Sequence, residues 1–430
     1  MADTRKAWYR LDNAAKIYPA VRTQKWSGNF RVSVTLKEKV DMEILEKALA
    51  DTAERLVSLR LNLHRGFFWY YLEDSGESVK ATEDVRNPCA RFGGKRNREK
   101  PCRIRVYENR IALEIFHVLA DGTGAMNILK TLTARYITLK YGEKIPAENG
   151  IIDITSEPDK EEMEDAFKRY ARFKAVKSRQ ELKGYHFKGT KLKPHDINIV
   201  TGVMSASHIH SISKSYKVTV TEFITALMIY SFMQCQSESK CHIEKPVKIS
   251  VPINLRKIYP SKTLRNFALY INPGIEPRYG EFTLEEIIED VHHFMRVNNK
   301  EKYLNAIMCK NLSDEMNPIT RIVPLCIKNV VMRIAFNMYG ENLVSSTFSN
   351  LGMVKVPDEM GKYIDRFDFV FGRFKRDMPS VAAASFGDKL CISWSSGIVE
   401  KDVERRFFTE LVKMGVHVKI ESNFYPIINN

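Results

Sequence analysis

The sequence predicts an α/β protein with two lobes. Helix-type and strand-type hydrophobic patterns alternate through both halves of the chain. The 430 residues exceed what one hydrophobic core usually organises, and a charge-rich segment separates the two halves. We therefore expect an N-terminal lobe over residues 1–152, a crossover helix and linker over 153–195, and a C-terminal lobe over 196–430.

The N-terminal lobe is expected to hold a hairpin and two main helices. In the first helix, over 41–57, Asp41 can cap the first turn, and Leu45, Ala48 and Leu49 form an apolar stripe. The other expected elements are strands at 29–36, 67–72, 102–107 and 110–116, the last two joined by a turn at Glu108 and Asn109, and a helix at 123–141 that Thr123 caps.

In the crossover, Glu164 with Lys168 and Asp165 with Arg169 stand at helical spacing, which favours an exposed helix within 158–184. In the C-terminal lobe, apolar periodicity again predicts alternating elements. Helices are expected at 212–234 with a turn near Lys217, 284–298, 320–339 and 403–414, and strands at 247–253, 267–271, 367–371, 381–386 and 390–396.

Composition limits the compartment and the class of partner. An apolar fraction of 44% is ordinary for a globular protein, and no run of about 18 apolar residues could span a membrane. The N-terminus lacks the apolar segment of a secretory signal, and seven cysteines at irregular spacing favour free thiols, so we expect a cytoplasmic protein. The net charge of +15 would attract anionic ligands.

The most informative segment is His117-Val-Leu-Ala-Asp121-Gly122. It follows the strand pattern at 110–116 and precedes the helix pattern at 123–141. A histidine therefore ends a core strand, and a glycine permits the sharp turn into the helix. Such a turn can present one imidazole to a cavity, with the aspartate behind it. The alternative is a histidine packed in the core at the end of a strand.

Further segments occur in the order expected of one family: a helix at 41–57 followed by Leu59-Arg-Leu-Asn-Leu63, then Val251-Pro-Ile-Asn-Leu-Arg256, Leu264-Arg-Asn266-Phe267 and Ser349-Asn-Leu-Gly352. With the H-x-x-x-D-G motif, the chain resembles the CoA-dependent acyltransferase superfamily. That superfamily includes chloramphenicol acetyltransferase, plant alcohol acyltransferases, polyketide-associated acyltransferases and the condensation domains of nonribosomal peptide synthetases. The chain is most similar to the bacterial alcohol O-acetyltransferase-like branch.

The resemblance implies a fold and a role for each motif residue. Two similar lobes, each an open mixed sheet flanked by helices, would enclose a tunnel, and a strand or loop would cross from the second lobe to the first. His117 would be the general base that takes the proton of the acceptor. Asp121 would be structural and would pair with Arg256, for which Arg265 is the rival. Gly122 would supply backbone freedom and close approach at the turn.

Supporting roles fall on residues of the C-terminal lobe. Asn266 would fix the wall of the tunnel. The oxyanion of the tetrahedral intermediate needs a hydrogen-bond donor. The candidates are Ser346, Thr347 and Ser349, and the sequence does not choose among them.

The implied activity is transfer of an acyl group, such as acetyl, from acyl-CoA to an alcohol or amine in a ternary complex. No metal and no covalent acyl-enzyme are needed. Phe116 stands where peptide-condensing relatives carry a second histidine, which favours free acyl-CoA over a carrier-bound donor. One alternative is transfer from a phosphopantetheine carrier protein. The other is a non-enzymatic basic scaffold that binds nucleic acid or an anionic membrane, although no nucleic-acid module is recognisable.

Three other groups have weaker interpretations. The basic residues within 91–105 and 168–193 could bind the phosphates of CoA, or lie on solvated surfaces. Cys235, Cys241 and His242 lack zinc-finger spacing, so no metal is expected. The apolar helix at 320–339 is expected to pack on the sheet, and the less favoured alternative is a position on a membrane surface. Membrane association would then be peripheral at most.

Overall fold

The computed structural model describes residues 7–93, 98–172, 182–239, 245–316 and 322–424. Its strands are β1 (Trp8–Arg10), β2 (Asn29–Leu36), β3 (Leu61–Arg65), β4 (Tyr70–Asp74), β5 (Ala81–Glu83), β6 (Arg98–Glu99), β7 (Cys102–Tyr107), β8 (Arg110–Phe116), β9 (Asn198–Ser205), β10 (Val247–Asn254), β11 (Ala268–Ile271), β12 (Gly274–Ile275), β13 (Ser346–Met353), β14 (Ile364–Phe371), β15 (Ser380–Phe386), β16 (Lys389–Ser396) and β17 (Lys419–Ser422).

Its α-helices surround these strands. They are α1 (Ile17–Val21), α2 (Met42–Arg55), α3 (Gly122–Tyr141), α4 (Ala166–Tyr170), α5 (Ala206–Ser215), α6 (Val220–Ser237), α7 (Leu284–Asn298), α8 (Glu301–Met316), α9 (Leu325–Tyr339), α10 (Asp358–Gly361) and α11 (Asp402–Lys413).

Two large mixed sheets organise the molecule, and this confirms the predicted α/β class with two lobes. The first sheet has the order β14–β2–β8–β7–β5, with a parallel pair only at β5 and β7. The second has the order β11–β10–β13–β15–β16–β9–β17, with β12 beside β10. In it, β13 is parallel to both neighbours. A small antiparallel sheet, β1–β4–β3–β6, completes the first half.

A strand from the second half of the chain crosses to the first sheet, as the resemblance implies. β14 pairs antiparallel with β2 along its whole length. β15 contributes to two cores because its side chains alternate: Ala382 and Ala384 face the core of the first sheet, whereas Val381 and Ala383 face the core of the second. The two lobes therefore share packed surfaces. The residue boundaries at 152 and 196 stay predictions.

Local signals explain the helices that flank the site. Asp41 accepts the backbone N–H groups of Glu43 and Ile44 and so caps α2, as expected. The cap of α3 differs from the expectation, because Asp121 rather than Thr123 accepts a backbone N–H there. A carboxylate is favoured at a helix N-terminus by the helix dipole.

Two expected helices differ in the structure. In the crossover, the described residues form a 3₁₀ turn at Lys160–Met163 and the short α4, in which Phe167 and Tyr170 are buried rather than exposed. Residues 173–181 of this prediction lie outside the described residues. The helix expected at 320–339 forms as α9. It packs mainly on α1, and its contact with a sheet includes the hydrogen bond from Asn329 to the hydroxyl of Tyr70 on β4. Its start also falls partly outside the described residues.

The described part of the chain contains no single helix that is long and apolar enough to cross a membrane. The α5–α6 pair reaches the required length and composition only when the two helices are joined, and they meet at 81°.

Candidate active site

The His117–Asp121 turn lies between a central strand of the first sheet and a long helix. β8 ends at Phe116 and α3 begins at Gly122. The backbone N–H of His117 donates to the carbonyl of Gly28 at 3.1 Å, which continues the β2–β8 pairing by one residue. The histidine is therefore fixed in position by the sheet itself.

Two aromatic rings hold the imidazole. Tyr18 stacks on His117 with ring centroids 4.5 Å apart and planes inclined by 7°. Phe30 meets the ring edge-on at 5.1 Å. Residue 117 nevertheless stays partly exposed, although its neighbours Phe116 and Val118 are fully buried. The ring is thus oriented by packing without being sealed in the core.

Hydrogen bonds decide which ring nitrogen carries the proton. The Nδ2 group of Asn266 donates to the carbonyl of His117 at 2.9 Å and to Oδ2 of Asp12 at 3.0 Å, so both of its hydrogens are used. Oδ1 of Asn266 therefore faces Nδ1 of His117, 2.8 Å away, as an acceptor. A neutral imidazole must then carry its proton on Nδ1, which leaves a lone pair on Nε2. Within the described residues, nothing hydrogen-bonds Nε2.

The protonation equilibrium of His117 favours the neutral ring. Burial lowers the pKa of His117 below its ordinary value, because the charged form loses water. The hydrogen bond with Asn266 and the negative charge of Asp121 oppose this shift without cancelling it. At neutral pH the imidazole is a proton acceptor.

Asp12 supports Asn266 from the N-terminal segment. Its side chain is fully buried, with Oδ1 accepting the backbone N–H of Ala15 at 2.8 Å and Oδ2 accepting Asn266. Arg265 lies with its Nε 3.5 Å from Oδ2 and supplies the opposing charge. Burial raises the pKa of Asp12, and Arg265 and Asn266 oppose that rise. A chain Arg265–Asp12–Asn266–His117 thus reaches the imidazole from behind.

The side chain of Asp121 points away from His117, and both of its carboxylate oxygens accept hydrogen bonds. Oδ1 accepts the backbone N–H of Gly124 at 2.9 Å, and Oδ2 accepts the backbone N–H of Phe267 at 2.9 Å. Arg256 donates from Nη1 to Oδ2 at 2.8 Å. Arg265, the rival partner, contacts Asp12 instead. The carboxylate is buried behind the histidine and has no free lone pair aimed at a substrate.

Arg256 also joins the segments around the site. Its guanidinium donates to the carbonyls of Thr263 and Arg265, in the loop that carries Asn266. Asn254 accepts from the backbone N–H of Arg256 and donates to Thr123 Oγ1 at 3.1 Å. The end of β10 is therefore hydrogen-bonded to the first turn of α3.

Close approach, rather than backbone freedom, explains the glycines of this turn. Gly122 has no left-handed conformation, which corrects part of its expected role. A Cβ on Gly122 would lie 3.0 Å from Leu351 and 3.4 Å from Phe369. Gly124 is more restricted, because a Cβ there would lie 1.9 Å from the carbonyl oxygen of Leu264. Only glycine lets the second lobe approach α3 so closely.

The three oxyanion candidates divide between the faces of β13. Ser346 is fully buried and its hydroxyl donates to the carbonyl of Pro379 at 2.6 Å, so it is not available to an oxyanion. Thr347 and Ser349 are partly exposed on the opposite face. The described residues offer no hydrogen-bond partner to either hydroxyl. Leu351, on that same face, is the residue that approaches Gly122.

The chain is similar to solved structures of known proteins, but not to any family model. No protein-family model matches the chain, and no curated protein matches it either. Several solved structures match it over nearly the whole chain. TRI3, a trichothecene 15-O-acetyltransferase from Fusarium sporotrichioides, is similar with a TM-score of 0.63 and 12% identity over 96% of this chain and 95% of that one. TRI101 from F. graminearum, complexed with ethyl coenzyme A, gives 0.62 and 11% over 98% and 100%.

A third similar structure is a mutant of the starter condensation domain of rhizomide synthetase RzmA in complex with C8-CoA. Its TM-score is 0.58 with 12% identity over 94% of each chain. The chain has the two-lobed fold of CoA-dependent acyltransferases and condensation domains. At these identities the similarity establishes the acyltransferase fold and not the substrates.

The basic groups expected to bind CoA phosphates are partly engaged within the protein. Arg103 donates to buried Glu114, and Lys100 donates to the carbonyls of Glu77 and Ser78. In the second group, Lys168 pairs with acidic side chains. Lys95, Arg96 and residues 173–181 lie outside the described residues. No residue is therefore assigned to a cofactor.

Metal ligands were not expected, and the described residues hold no group of three or more His, Cys, Asp or Glu placed to bind a metal ion. Cys235 is buried at the end of α6, whereas Cys241 and His242 lie outside the described residues.

A cavity of about 1210 Å³ lies between the first-lobe strand β4 and helices α4 and α8. Aromatic and charged side chains line it, among them Trp8, Lys16, Trp69, Lys168 and Glu315. Leu11 also lines it and directly precedes Asp12, which bonds Asn266. His117 is not among the lining residues. The cavity therefore reaches the segment that supports the histidine.

Sequence reasoning missed three residues of the site. Asp12 and Tyr18 come from the N-terminal segment, far from the motif in sequence, and no local pattern marks them. Asn254 lies inside the Val251–Arg256 segment, where the resemblance drew attention to the arginine alone. A polar residue directly after a strand was the available signal for Asn254.

Proposed function

We propose that this protein is an acyltransferase that moves an acyl group from acyl-CoA to the hydroxyl or amine of a small acceptor. The observation that carries the proposal is Nε2 of His117: Asn266 fixes the proton on Nδ1, and no residue of the described ranges hydrogen-bonds the lone pair on Nε2. The acyltransferase fold, shared with a protein complexed with ethyl coenzyme A, supports the choice of donor.

The reaction needs only proton transfer and a stabilised oxyanion. Nε2 of His117 takes the acceptor proton as the acceptor oxygen or nitrogen attacks the thioester carbonyl carbon. The tetrahedral intermediate then collapses, the C–S bond breaks, and the departing thiolate takes the proton back from the imidazolium. The products are the ester or amide and free CoA, and His117 returns to its neutral form.

Two hydroxyls are proposed to stabilise the oxyanion. Thr347 and Ser349 share a partly exposed face of β13, and neither hydroxyl has a hydrogen-bond partner among the described residues, whereas Ser346 donates to the carbonyl of Pro379. Asp121 and Arg256 hold the turn and take no part in proton transfer. Acyl-CoA is a substrate here, so the proposal requires no resident cofactor.

A second donor class follows from the similarity to a condensation domain. The fold shared with a condensation domain supports, as the second donor class, an acyl or peptidyl thioester on a phosphopantetheine carrier protein. The attack on a thioester carbon is the same in both cases, so only the donor distinguishes them.

A thiol-release assay tests the proposal. Acyl-CoAs of increasing chain length are offered with a panel of alcohols and amines, and carrier-bound thioesters serve as the second donor. Wild type should release thiol with at least one pair, and His117→Ala should lose about 10²–10⁴-fold of that rate. The exposed His208 provides the control, because it lies on α5 and His208→Ala removes an imidazole that is not part of the site.

Full activity of His117→Ala would contradict the base assignment. Release of thiol by neither donor, together with salt-dependent binding to generic polyanions, would favour the basic scaffold instead.

A further inference from the structure

Helix α9 carries an apolar stripe on its outer face. Ile327, Val330, Val331, Ile334 and Met338 recur at helical spacing, and each is more than half exposed. A helix on the surface of a globular protein usually turns such a stripe toward the core. Here the stripe faces outward.

The inner face of α9 is already occupied. Phe336 stacks on Trp26 with ring centroids 5.1 Å apart, and Met332 packs on the same cluster as α1. Arg333 donates from Nε to the carbonyl of Ala20 at 2.6 Å. The helix is therefore anchored, and the outward stripe is not the result of a rotated or loosely held helix.

The loop between β3 and β4 extends the stripe. The backbone N–H of Leu325 donates to the carbonyl of Phe67 at 2.9 Å, and Lys328 donates to the carbonyl of Phe68 at 3.0 Å. Both phenylalanines are exposed, as is Ile322 before the helix. We call this surface the apolar patch: Phe67, Phe68, Ile322, Ile327, Val330, Val331, Ile334 and Met338.

The charge around the patch is positive. α9 contains no acidic residue, and its Arg333 is exposed, whereas its Lys328 is buried against Phe68 and Trp69. Arg65 is exposed on the hairpin beside Phe67, and Lys25 is exposed next to Trp26, which stacks under α9. The whole chain carries a net charge of +15. An apolar helical face with cations near it is the pattern that binds an anionic lipid interface.

We propose that the apolar patch docks this protein on the surface of an anionic phospholipid bilayer. A second copy of the chain would bring two surfaces of the same positive charge together, which opposes self-association through this face. An anionic bilayer offsets the same charge and covers the apolar side chains without requiring a matched polar rim.

Docking would place lipid close to the proposed site. Tyr18, on the α1 helix beneath α9, stacks on His117. Trp69 follows Phe68 of the patch and lines the cavity, with Lys328 Nζ 3.4 Å from the centre of its ring. Only the short helix α1 would then lie between α9, on which the bilayer docks, and the imidazole of His117.

Vesicle sedimentation tests the docking without any measurement of turnover, so its failure would leave the acyl-transfer proposal untouched. The probes are phosphatidylcholine vesicles with and without phosphatidylserine. Wild type should bind the anionic vesicles. Val331→Glu should weaken that binding by about tenfold or more, since it removes an exposed apolar group that the bilayer would cover and adds a charge of the same sign as the lipid. Phe67→Ser should weaken it independently.

Val297→Glu is the matched control, because Val297 is equally exposed on α7 outside the patch. It should bind vesicles as wild type does. Absence of wild-type binding, or equal loss in the two valine variants, would overturn the proposal. A third outcome would also overturn it: wild type does not bind vesicles, light scattering shows that it is a dimer, and Val331→Glu dissociates that dimer.

Discussion

The two ends of the His117–Asp121 turn have opposite environments although they lie four residues apart. At the aspartate end, both carboxylate oxygens are bonded and an arginine neutralises the charge. At the histidine end, Nδ1 is bonded to Asn266, and Nε2 has no hydrogen-bond partner among the described residues, in a residue that is partly exposed.

The two ends of the motif therefore have different roles: His117 is placed for proton transfer, and Asp121 stabilises the structure. A group that exchanges protons must keep an unused lone pair, whereas a buried charge must be fully compensated to be tolerated. The same loop, 263–267, serves both ends: its carbonyls hold Arg256, and Asn266 holds His117. Substitutions at the two ends should therefore fail in different ways.

The largest difference between loss of activity and loss of stability is expected for His117→Ala. The rate of thiol release should fall about 10²–10⁴-fold, while unfolding by urea should show a loss of about 1 kcal/mol, because the ring is only partly buried. Circular dichroism and the urea midpoint check the second part. A variant that loses several kcal/mol of stability would mean that the histidine is a packed core residue.

The reverse pattern is expected for Arg256→Met. Removing the guanidinium leaves the carboxylate of Asp121 buried without a counter-charge, which should cost about 3–5 kcal/mol of unfolding free energy. Arg135→Met is the control, because Arg135 pairs with Asp51 at a more exposed place and should lose about 1 kcal/mol or less. Similar urea midpoints for the two variants would contradict the special role of the Arg256 pair.

The sequence predicted the β8–turn–α3 unit to within a residue because its periodicity is local and strong. β13 was missed as a strand, since Ser346, Thr347, Ser349 and Asn350 give it a polar composition. α9 was predicted as a helix, but its apolar residues run around most of its circumference, so periodicity could not show which face is covered. The contact of Asp12 with Asn266 joins distant parts of the chain, and no spacing rule reports it.

A smaller loss of activity is expected for Asn266→Ala. This variant tests whether Asn266 orients the imidazole or only stabilises the fold. Without the amide, the proton of His117 is no longer fixed on Nδ1, so kcat should fall about 10–100-fold, the range known for partners that orient metal-binding histidines. KM should change little, because Asn266 is buried behind the ring. Loss of stability alone, with kcat unchanged, would assign it a structural role only.

The smallest effect is a displacement of the pH profile. The neutral imidazole is the active form, so kcat/KM should rise with pH through the pKa of His117 and then level off. Burial lowers that pKa, so the midpoint of the rise should lie below the ordinary histidine value of 6.5. Because the Asn266 hydrogen bond opposes the lowering, Asn266→Ala should move the midpoint to still lower pH. A midpoint above the ordinary value would show that another group controls the rate.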